Sequence, residues 1–301
     1  MKRLIVSTVM LGLLGAACAG SGAVRVSPLG GDPSPSRPAK PSSTPTRSPT
    51  TDPSSTPTSS PPSGTLTVQV WLTQGEHLFP ATRTQAATVA VGKAALTQLL
   101  AGPTSPERGA GVGTTIPAGT KLIDLNIQDG VATVNMNGTY DDGGGSLSMR
   151  MRLAEVVYTI TQFPSVQGVD FQLDGKAVDT FSGEGIVLDH PQTRVDFEDL
   201  LPSIVVETPG PGDAVSSPIT ISGTANVFEA TVSYRIEDEN GHSVADGYAT
   251  ASCGTGCRGT YVITVDYEVG HDQPGTIVVF ESSAQDGSEI NVVKIPVTLR
   301  A

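Results

Sequence analysis

Residues 27–64 form a tract in which 28 of 38 residues are Pro, Ser or Thr and none is aromatic. A segment of this composition cannot bury enough apolar surface to offset the entropy that the chain loses on ordering. Its 11 prolines favour extended polyproline II conformations over helix or sheet. We therefore expect a disordered tether over residues 19–64. Folded domains are then expected only within residues 65–301.

The first 18 residues have the pattern of an export signal. Two basic residues precede an apolar run over residues 4–14, which is too short to span about 30 Å of hydrocarbon as a helix. Three small residues and then Cys18 follow, and this string resembles a bacterial lipobox, which implies that Cys18 is lipidated. Gly15 departs from the lipobox pattern, so ordinary secretory cleavage near Cys18 is the alternative. With the lipid anchor, we expect the chain at the outer face of the cell membrane.

Cysteine usage agrees with export. Apart from Cys18, the chain has only Cys253 and Cys257, which are separated by Gly-Thr-Gly. Two remaining cysteines in an exported chain favour a disulfide between them, and the glycines allow so short a loop to bend. Free thiols are the alternative. A zinc site would need two further ligands and the four histidines show no ligand spacing, so we expect no metal and no cofactor.

The folded part of the chain is strongly acidic. Residues 65–301 carry 12 basic and 28 acidic residues. Because proteins bind phosphate backbones through Lys and Arg, this balance excludes nucleic acid as a partner. The twofold excess of Arg over Lys in the whole chain is typical of a GC-rich genome of actinobacterial type.

Residues 65–200 mix strand and helix patterns. The expected elements are a strand at residues 66–71, helices at residues 87–101 and 147–163, and a short helix at residues 193–200. The dipeptides Asp129-Gly130 and Asp174-Gly175 indicate two hairpins between short apolar runs. Ser146 is a candidate N-cap for the longer helix. This order predicts an α+β domain with a mixed sheet and two main helices.

Residues 201–301 lack helical periodicity. Short strands are expected at residues 204–206, 219–223, 231–236, 243–250, 259–267, 276–283 and 289–299. About seven short strands with turn dipeptides between them predict an all-β immunoglobulin-like sandwich. Pro296 places the last strand at an edge or a bulge, because proline cannot donate a ladder hydrogen bond.

Several strings of residues resemble those of known bacterial modules. They are Val70-Trp71-Leu72, residues 99–104, 116–120 and 156–163 in the first part, and residues 209–212, 217–223 and 286–288 in the second. The first part resembles the GerMN domain of sporulation and spore germination proteins. The second resembles the immunoglobulin-like domain of bacterial spore germination proteins. The resemblance implies an envelope lipoprotein that acts in protein–protein assembly, and it supplies no catalytic residues.

We therefore expect a non-catalytic, membrane-anchored protein that binds an envelope protein or peptidoglycan. The first alternative is a peptidoglycan hydrolase, because Asp141 and Asp142 precede the helix that carries Glu155 and glycosidic cleavage needs two carboxylates. The plainer interpretation makes the aspartates a solvated loop and Glu155 a charge on the helix surface. Neither a Gly-x-Ser-x-Gly elbow nor a His-Glu-x-x-His pair occurs in the sequence.

The second alternative is a ligand-sensing module for wall fragments or a divalent ion. Residues 237–239, Glu-Asp-Glu, are a weak candidate for calcium, but their spacing lacks the ligand alternation of a calcium loop. A charged hairpin tip that discourages edge-to-edge aggregation fits these residues better.

The candidate partner-binding residues are Arg150 and Arg152, beside the glycine run at residues 143–145. We expect at most one of them to serve the core-facing edge of the helix and the other to be exposed. Together they would form a positive spot on an acidic body and orient a partner by charge complementarity. Trp71 and Tyr158 are expected to be core residues rather than an exposed recognition patch.

Overall fold

A computed structural model describes residues 64–301, which lie in one structural unit. The predicted export signal, Cys18 and nearly all of the predicted tether lie outside the described residues. The described part consists of an α+β domain followed by an all-β domain.

The N-terminal domain contains nine strands and three α-helices within the described residues. The strands are β1 (Thr65–Gln74), β2 (His77–Ala86), β3 (Val112–Gly113), β4 (Leu122–Gln128), β5 (Val131–Met136), β6 (Gly168–Leu173), β7 (Lys176–Ala177), β8 (Thr180–Phe181) and β9 (Ile186–Val187). The helices are α1 (Val91–Leu100), α2 (Ser105–Gly109) and α3 (Ser146–Ile160). Short 3-10 helices cover Gly138–Asp141 and Arg194–Leu200.

These strands form three sheets, one of which is mixed. The strand orders are β2-β1-β3, β4-β5-β6-β7 and β8-β9. In the four-stranded sheet β5 runs parallel to β6, whereas β4 and β7 pair antiparallel with their neighbours. The predicted α+β class with a mixed sheet is therefore confirmed. Between β4 and β5, Asp129 and Gly130 both have positive φ, at 51° and 85°, as a type I′ hairpin turn requires.

The sequence pattern predicted β1 but missed its partner β2. The missed strand contains Pro80, which breaks the ladder of hydrogen-bond donors. It lies at the edge of its sheet, where a proline is tolerated. The first helix consequently begins at Val91 rather than at residue 87.

Helix α3 is buried on all sides rather than along one face. Every residue from Met151 to Ile160 is buried, because the helix packs against β1, β6, α1 and the 3-10 helix at Arg194–Leu200. The prediction that Ser146 caps the helix is wrong, since Gly145 occupies the N-cap position. The hydroxyl of Ser146 donates instead to the carboxylate of Glu184 over 2.6 Å.

The C-terminal domain contains eight strands in two sheets. They are β10 (Ile204–Thr208), β11 (Ala214–Val215), β12 (Ile219–Ala225), β13 (Thr231–Glu237), β14 (Ser243–Thr250), β15 (Gly259–Val265), β16 (Gln273–Ser282) and β17 (Glu289–Leu299). The strand orders are β10-β12-β15 and β11-β17-β16-β13-β14. Isoleucines and valines from both sheets are fully buried in the core, among them Ile221, Ile236, Ile277, Val279 and Ile295. The predicted β-sandwich is confirmed, and β14 and β17 have the predicted bounds.

The two domains are in direct contact. A Cβ atom on Gly212, which has a φ of 89°, would lie only 2.6 Å from the Cβ of Pro106 in α2, so glycine alone fits this approach. Strand β10 packs beside β2 in a second contact. The guanidinium of Arg258 donates to the carbonyl oxygen of Pro202, in the segment that leads from the 3-10 helix into β10, over 2.8 Å.

Candidate functional site

Glu155 lies in the middle of α3 and is fully buried, so the expectation of a helix-surface charge is wrong. Its Oε1 accepts hydrogen bonds from the amide and the hydroxyl of Thr115, at 2.7 and 2.6 Å. Its Oε2 accepts from the hydroxyl of Thr114 at 2.5 Å. Both oxygens are therefore committed to the loop that follows β3, and the carboxyl group fastens this loop to the helix.

Burial sets the protonation of this group. Desolvation raises the pKa of Glu155 from 4.5 to about 7, although the hydrogen bonds from Thr114 and Thr115 and the charge of Arg152 lower it. The carboxyl group thus exchanges its proton near neutral pH while enclosed in the protein core.

Arg152 is also in the core, with only 2% of its surface exposed. Its guanidinium donates to three carbonyl oxygens, those of Thr115 at 3.0 Å, Tyr140 at 2.5 Å and Gly143 at 3.1 Å. It therefore ties the loop after β3, the 3-10 turn and the start of the glycine run to α3. The prediction of Arg152 as a partner-binding residue is wrong, because its guanidinium is buried and bound to carbonyl groups of its own domain.

Arg150 points away from this cluster and is paired. Its guanidinium donates to both carboxylate oxygens of Asp199, each at 2.8 Å, and to the carbonyl oxygen of Asp196 at 3.2 Å. The hydrogen bonds and charge of the pair raise the pKa of Arg150 and lower that of Asp199. The two arginines do not form the predicted positive spot. A role for the half-exposed Arg150 in partner binding stays a prediction.

The two aspartates of the hydrolase alternative have different surroundings. Asp142 is exposed, whereas Asp141 is partly buried and its Oδ1 has no hydrogen-bond partner within residues 64–301. Burial raises the pKa of Asp141, and the nearby charge of Arg152 lowers it. Neither aspartate can share a substrate with Glu155 in this structure, because Glu155 is closed off from solvent.

The remaining candidates from the sequence are the aromatic pair and the acidic residues near Asp238, and both have structural roles. Trp71 and Tyr158 are core residues as predicted, each 3% exposed, with ring centroids 4.8 Å apart. Asp238 lies at the tip of the β13–β14 hairpin, where its carboxylate accepts from the amides of Asn240 and His242, both at 2.8 Å. Within residues 64–301, no group of three or more acidic, histidine or cysteine side chains could hold a metal ion.

Cys253 and Cys257 lie between β14 and β15 with their Cα atoms 5.8 Å apart, within the range that a disulfide spans. The structure joins the two sulfur atoms. Formation of this bond in the exported protein stays a prediction.

A groove that the sequence did not reveal lies where the two domains meet. This junction groove encloses about 200 Å³ and is lined by Trp71, Tyr158 and Arg194 from the N-terminal domain and by Glu207, Thr224 and Arg258 from the C-terminal domain. Val195 and Glu198, from the 3-10 helix, and Leu201 complete its wall. These residues come from distant parts of the chain, so no local motif could have indicated them.

Arg194 is held against the aromatic wall of the junction groove. Its Nε donates to the hydroxyl of Thr161 and its Nη2 to the carbonyl oxygen of Tyr158, both at 2.9 Å. The guanidinium carbon lies 4.9 Å from the ring centroid of Tyr158 and 5.8 Å from that of Trp71, within cation–π range. Burial lowers the pKa of Arg194, while Tyr158 and Glu207 raise it.

Arg258 lines the opposite side of the junction groove. Its Nη2 donates to the carbonyl oxygen of Pro202, and its Nη1 makes a long contact of 3.4 Å with the hydroxyl of Thr224. Its Nε is buried and has no partner among the described residues. Burial lowers the pKa of Arg258, and the charge of Glu198 raises it.

Two family models match the chain. One is described as sporulation and spore germination and matches residues 58–179, and the other, described as the immunoglobulin-like domain of bacterial spore germination, matches residues 203–288. The chain carries one domain of each family. The Glu155 cluster belongs to the sporulation and spore germination domain, and the junction groove lies between that domain and the immunoglobulin-like one. The predicted boundary at residues 200 and 201 stays a prediction.

Similar solved structures include the tandem GerMN domains of the sporulation protein GerM from Bacillus subtilis, at 16% identity and a TM-score of 0.40. That match covers 67% of this chain and 62% of the GerM chain, so this protein spans less than two thirds of that relative. The first GerMN domain of the same protein matches at 20% identity, with coverage of 44% and 99% and a TM-score of 0.37.

A crystal structure of a candidate lipoprotein from Clostridium perfringens matches at 23% identity over 46% of this chain and 93% of that one, with a TM-score of 0.33. No curated protein matches the sequence. Among the helices of residues 64–301, none has the length and apolar character needed to cross a membrane.

Proposed function

We propose that the protein is a non-catalytic cell-envelope lipoprotein, anchored at the outer face of the membrane by lipidated Cys18, which binds an envelope protein or peptidoglycan. The observation that carries this proposal is the use of Glu155. Its two oxygens accept three hydrogen bonds from Thr114 and Thr115 in a closed core, so the carboxyl group positions a loop. A loop that is held rigidly in this way can present a fixed surface to a binding partner.

The same observation weighs against the hydrolase alternative. Glycosidases place two carboxyl groups about 5–9.5 Å apart across a bond that both can reach. Here Asp141 and Asp142 would have to act without Glu155, which no substrate can contact. Both matching families are described by sporulation or spore germination, and the resemblance to such proteins implies an envelope lipoprotein.

The proposal is tested by crosslinking cells that express the full chain, purifying the chain and identifying what is attached to it. The matched control is residues 1–64 joined to an unrelated exported domain, which shares the predicted anchor and tether but lacks the folded body. We expect an envelope protein or peptidoglycan fragments with the full chain and not with the control.

Two results would contradict the proposal. One is equal recovery of the same molecules by the control, because binding would then not involve the two domains. The other is release of muropeptides from purified peptidoglycan by the full chain, if Asp141→Asn or Asp142→Asn abolishes that release and leaves the fold intact. A Cys18→Ala variant tests the anchor separately, since it should free the chain from the membrane without affecting the folded domains.

A further inference from the structure

The junction groove contains two cations without anionic partners. Neither Arg194 nor Arg258 forms an ion pair with a carboxylate within residues 64–301. A partly buried guanidinium without a counter-charge is costly, because the protein interior solvates charge poorly. Such a pair is unusual in a chain with a net charge of −12, in which acidic side chains are abundant.

Two carboxylates line the same groove without contacting these arginines. Glu207, which enters from β10, is partly buried, and its pKa is raised by burial and lowered by Arg194. Glu198 enters from the 3-10 helix and is exposed. Opposite charges are thus held apart in one small space, and a ligand that carries both signs would satisfy each side.

The overall charge and the walls of the groove narrow the chemistry of the ligand. The negative field of the chain disfavours a simple anion, whereas a zwitterion has no net charge to be repelled. Val195, which is 78% exposed, and Leu201 supply apolar surface for a small hydrocarbon side chain. Beyond Arg258 the groove continues into a shallower cleft of about 440 Å³, which is lined by Asn226 and Gly256. The groove and the cleft together can therefore hold a ligand longer than one amino acid.

We propose that the junction groove binds a short zwitterionic peptide, with its terminal carboxylate held by Arg194 and Arg258 and its ammonium group facing Glu198 and Glu207. The Nη1 group of Arg258, which makes only the long contact of 3.4 Å with Thr224, is a donor for the carboxylate. The inference goes beyond the proposed envelope function and does not depend on it, since neither the anchor nor a macromolecular partner contributes to the groove.

The test is a titration of the purified full chain with the dipeptide alanylalanine, followed by tryptophan fluorescence. Trp71 is the single tryptophan of the chain and lies in the groove wall, so its emission reports occupancy directly. We expect a saturable change with alanylalanine. Binding of N-acetyl-alanylalanine, which lacks the ammonium group, and of alanylalanine amide, which lacks the carboxylate, should each be about tenfold weaker.

Variants assign the two ends of the ligand. Arg258→Gln should weaken alanylalanine binding about tenfold, whereas Arg300→Gln, whose arginine pairs with Asp272 outside the groove, should not change it. Glu207→Gln should weaken binding of alanylalanine but not of its N-acetyl form, which keeps the inference testable if Arg258→Gln fails to fold. Thermal unfolding of each variant reports its fold.

Three results would overturn the inference. The first is no saturable fluorescence change up to about 10 mM dipeptide, a concentration that would detect millimolar affinity. The second is equal binding of the three forms of the dipeptide. The third is binding of acetate as tight as that of alanylalanine, which would make the groove an anion site only.

Discussion

The protonation of Glu155 should make the stability of the N-terminal domain depend on pH in an unusual direction. This carboxyl group loses its proton near pH 4.5 when exposed and near pH 7 in the fold. Between these values the folded state keeps a proton that the unfolded state has lost. The free energy of unfolding therefore falls by about 1.4 kcal/mol for each pH unit of increase. Over the whole window Glu155 contributes about 3 kcal/mol to the free energy of unfolding. This contribution is complete below about pH 4.5 and is lost above about pH 7.

The perturbation that isolates this contribution is Glu155→Gln. The amide has the shape of the protonated carboxyl group and does not titrate: its oxygen can accept from Thr115, and its nitrogen can donate to the hydroxyl of Thr114, which then acts as the acceptor. The unfolding free energy of the variant minus that of the wild type should rise by about 3 kcal/mol between pH 4.5 and 7.5. Urea titrations at a series of pH values give this difference, with Trp71 reporting the unfolding of the same domain.

A matched control is Glu107→Gln, which removes a second buried carboxylate of the same domain. Burial acts to raise the pKa of Glu107, but the hydrogen bonds from Arg83 and Thr104 outweigh it and the pKa is lowered. Its contribution is thus complete above the unfolded pKa and is lost only as the pH falls through the lowered value. The difference between this variant and the wild type should be nearly constant, changing by less than about 0.5 kcal/mol from pH 4.5 to 7.5. If Glu155→Gln gives a constant difference as well, Glu155 is ionised throughout and the reasoning is refuted.

The other predictions concern the anchor, the disulfide and Arg152. Mass spectrometry of the mature protein should find a lipid on Cys18 at the N-terminus, and an unmodified N-terminus at any other residue would disprove this. The loop between Cys253 and Cys257 spans a sequence separation of only 4, so reduction should lower the free energy of unfolding by no more than about 2 kcal/mol; thiols that titrate in the non-reduced protein would disprove the bond itself. Arg152→Met should cost about 3 kcal/mol or more in urea unfolding, because three carbonyl oxygens lose their donor, whereas the half-exposed Arg150→Met should cost about 1 kcal/mol or less. Equal costs for the two variants would show that Arg152 does not hold these loops.

Much of the architecture could be predicted from local signals in the sequence. Alternation of apolar and polar residues and turn dipeptides place strands because a strand presents successive side chains to opposite faces. These signals gave the bounds of β14 and β17 and the turn at Asp129-Gly130. They failed at β2, where Pro80 and a run of polar residues hide a strand that its neighbour β1 stabilises by pairing.

The environments of the charged residues depended on the tertiary structure. Helical spacing placed Arg150, Arg152 and Glu155 on α3, but it could not show that loops from outside the helix cover two of them. A charge is tolerated in the core only where distant hydrogen-bond partners arrive, and those partners are Thr114, Thr115 and the carbonyl groups around Tyr140.

By itself the sequence determined the order of an α+β domain and a β-sandwich, because periodicity and turn chemistry are properties of short segments. The burial of Glu155 and Arg152 and the existence of the junction groove were decided only by the tertiary structure. The groove brings Arg194 and Arg258 together across two domains, and a juxtaposition of this kind has no local signature, since it results from how the finished domains pack.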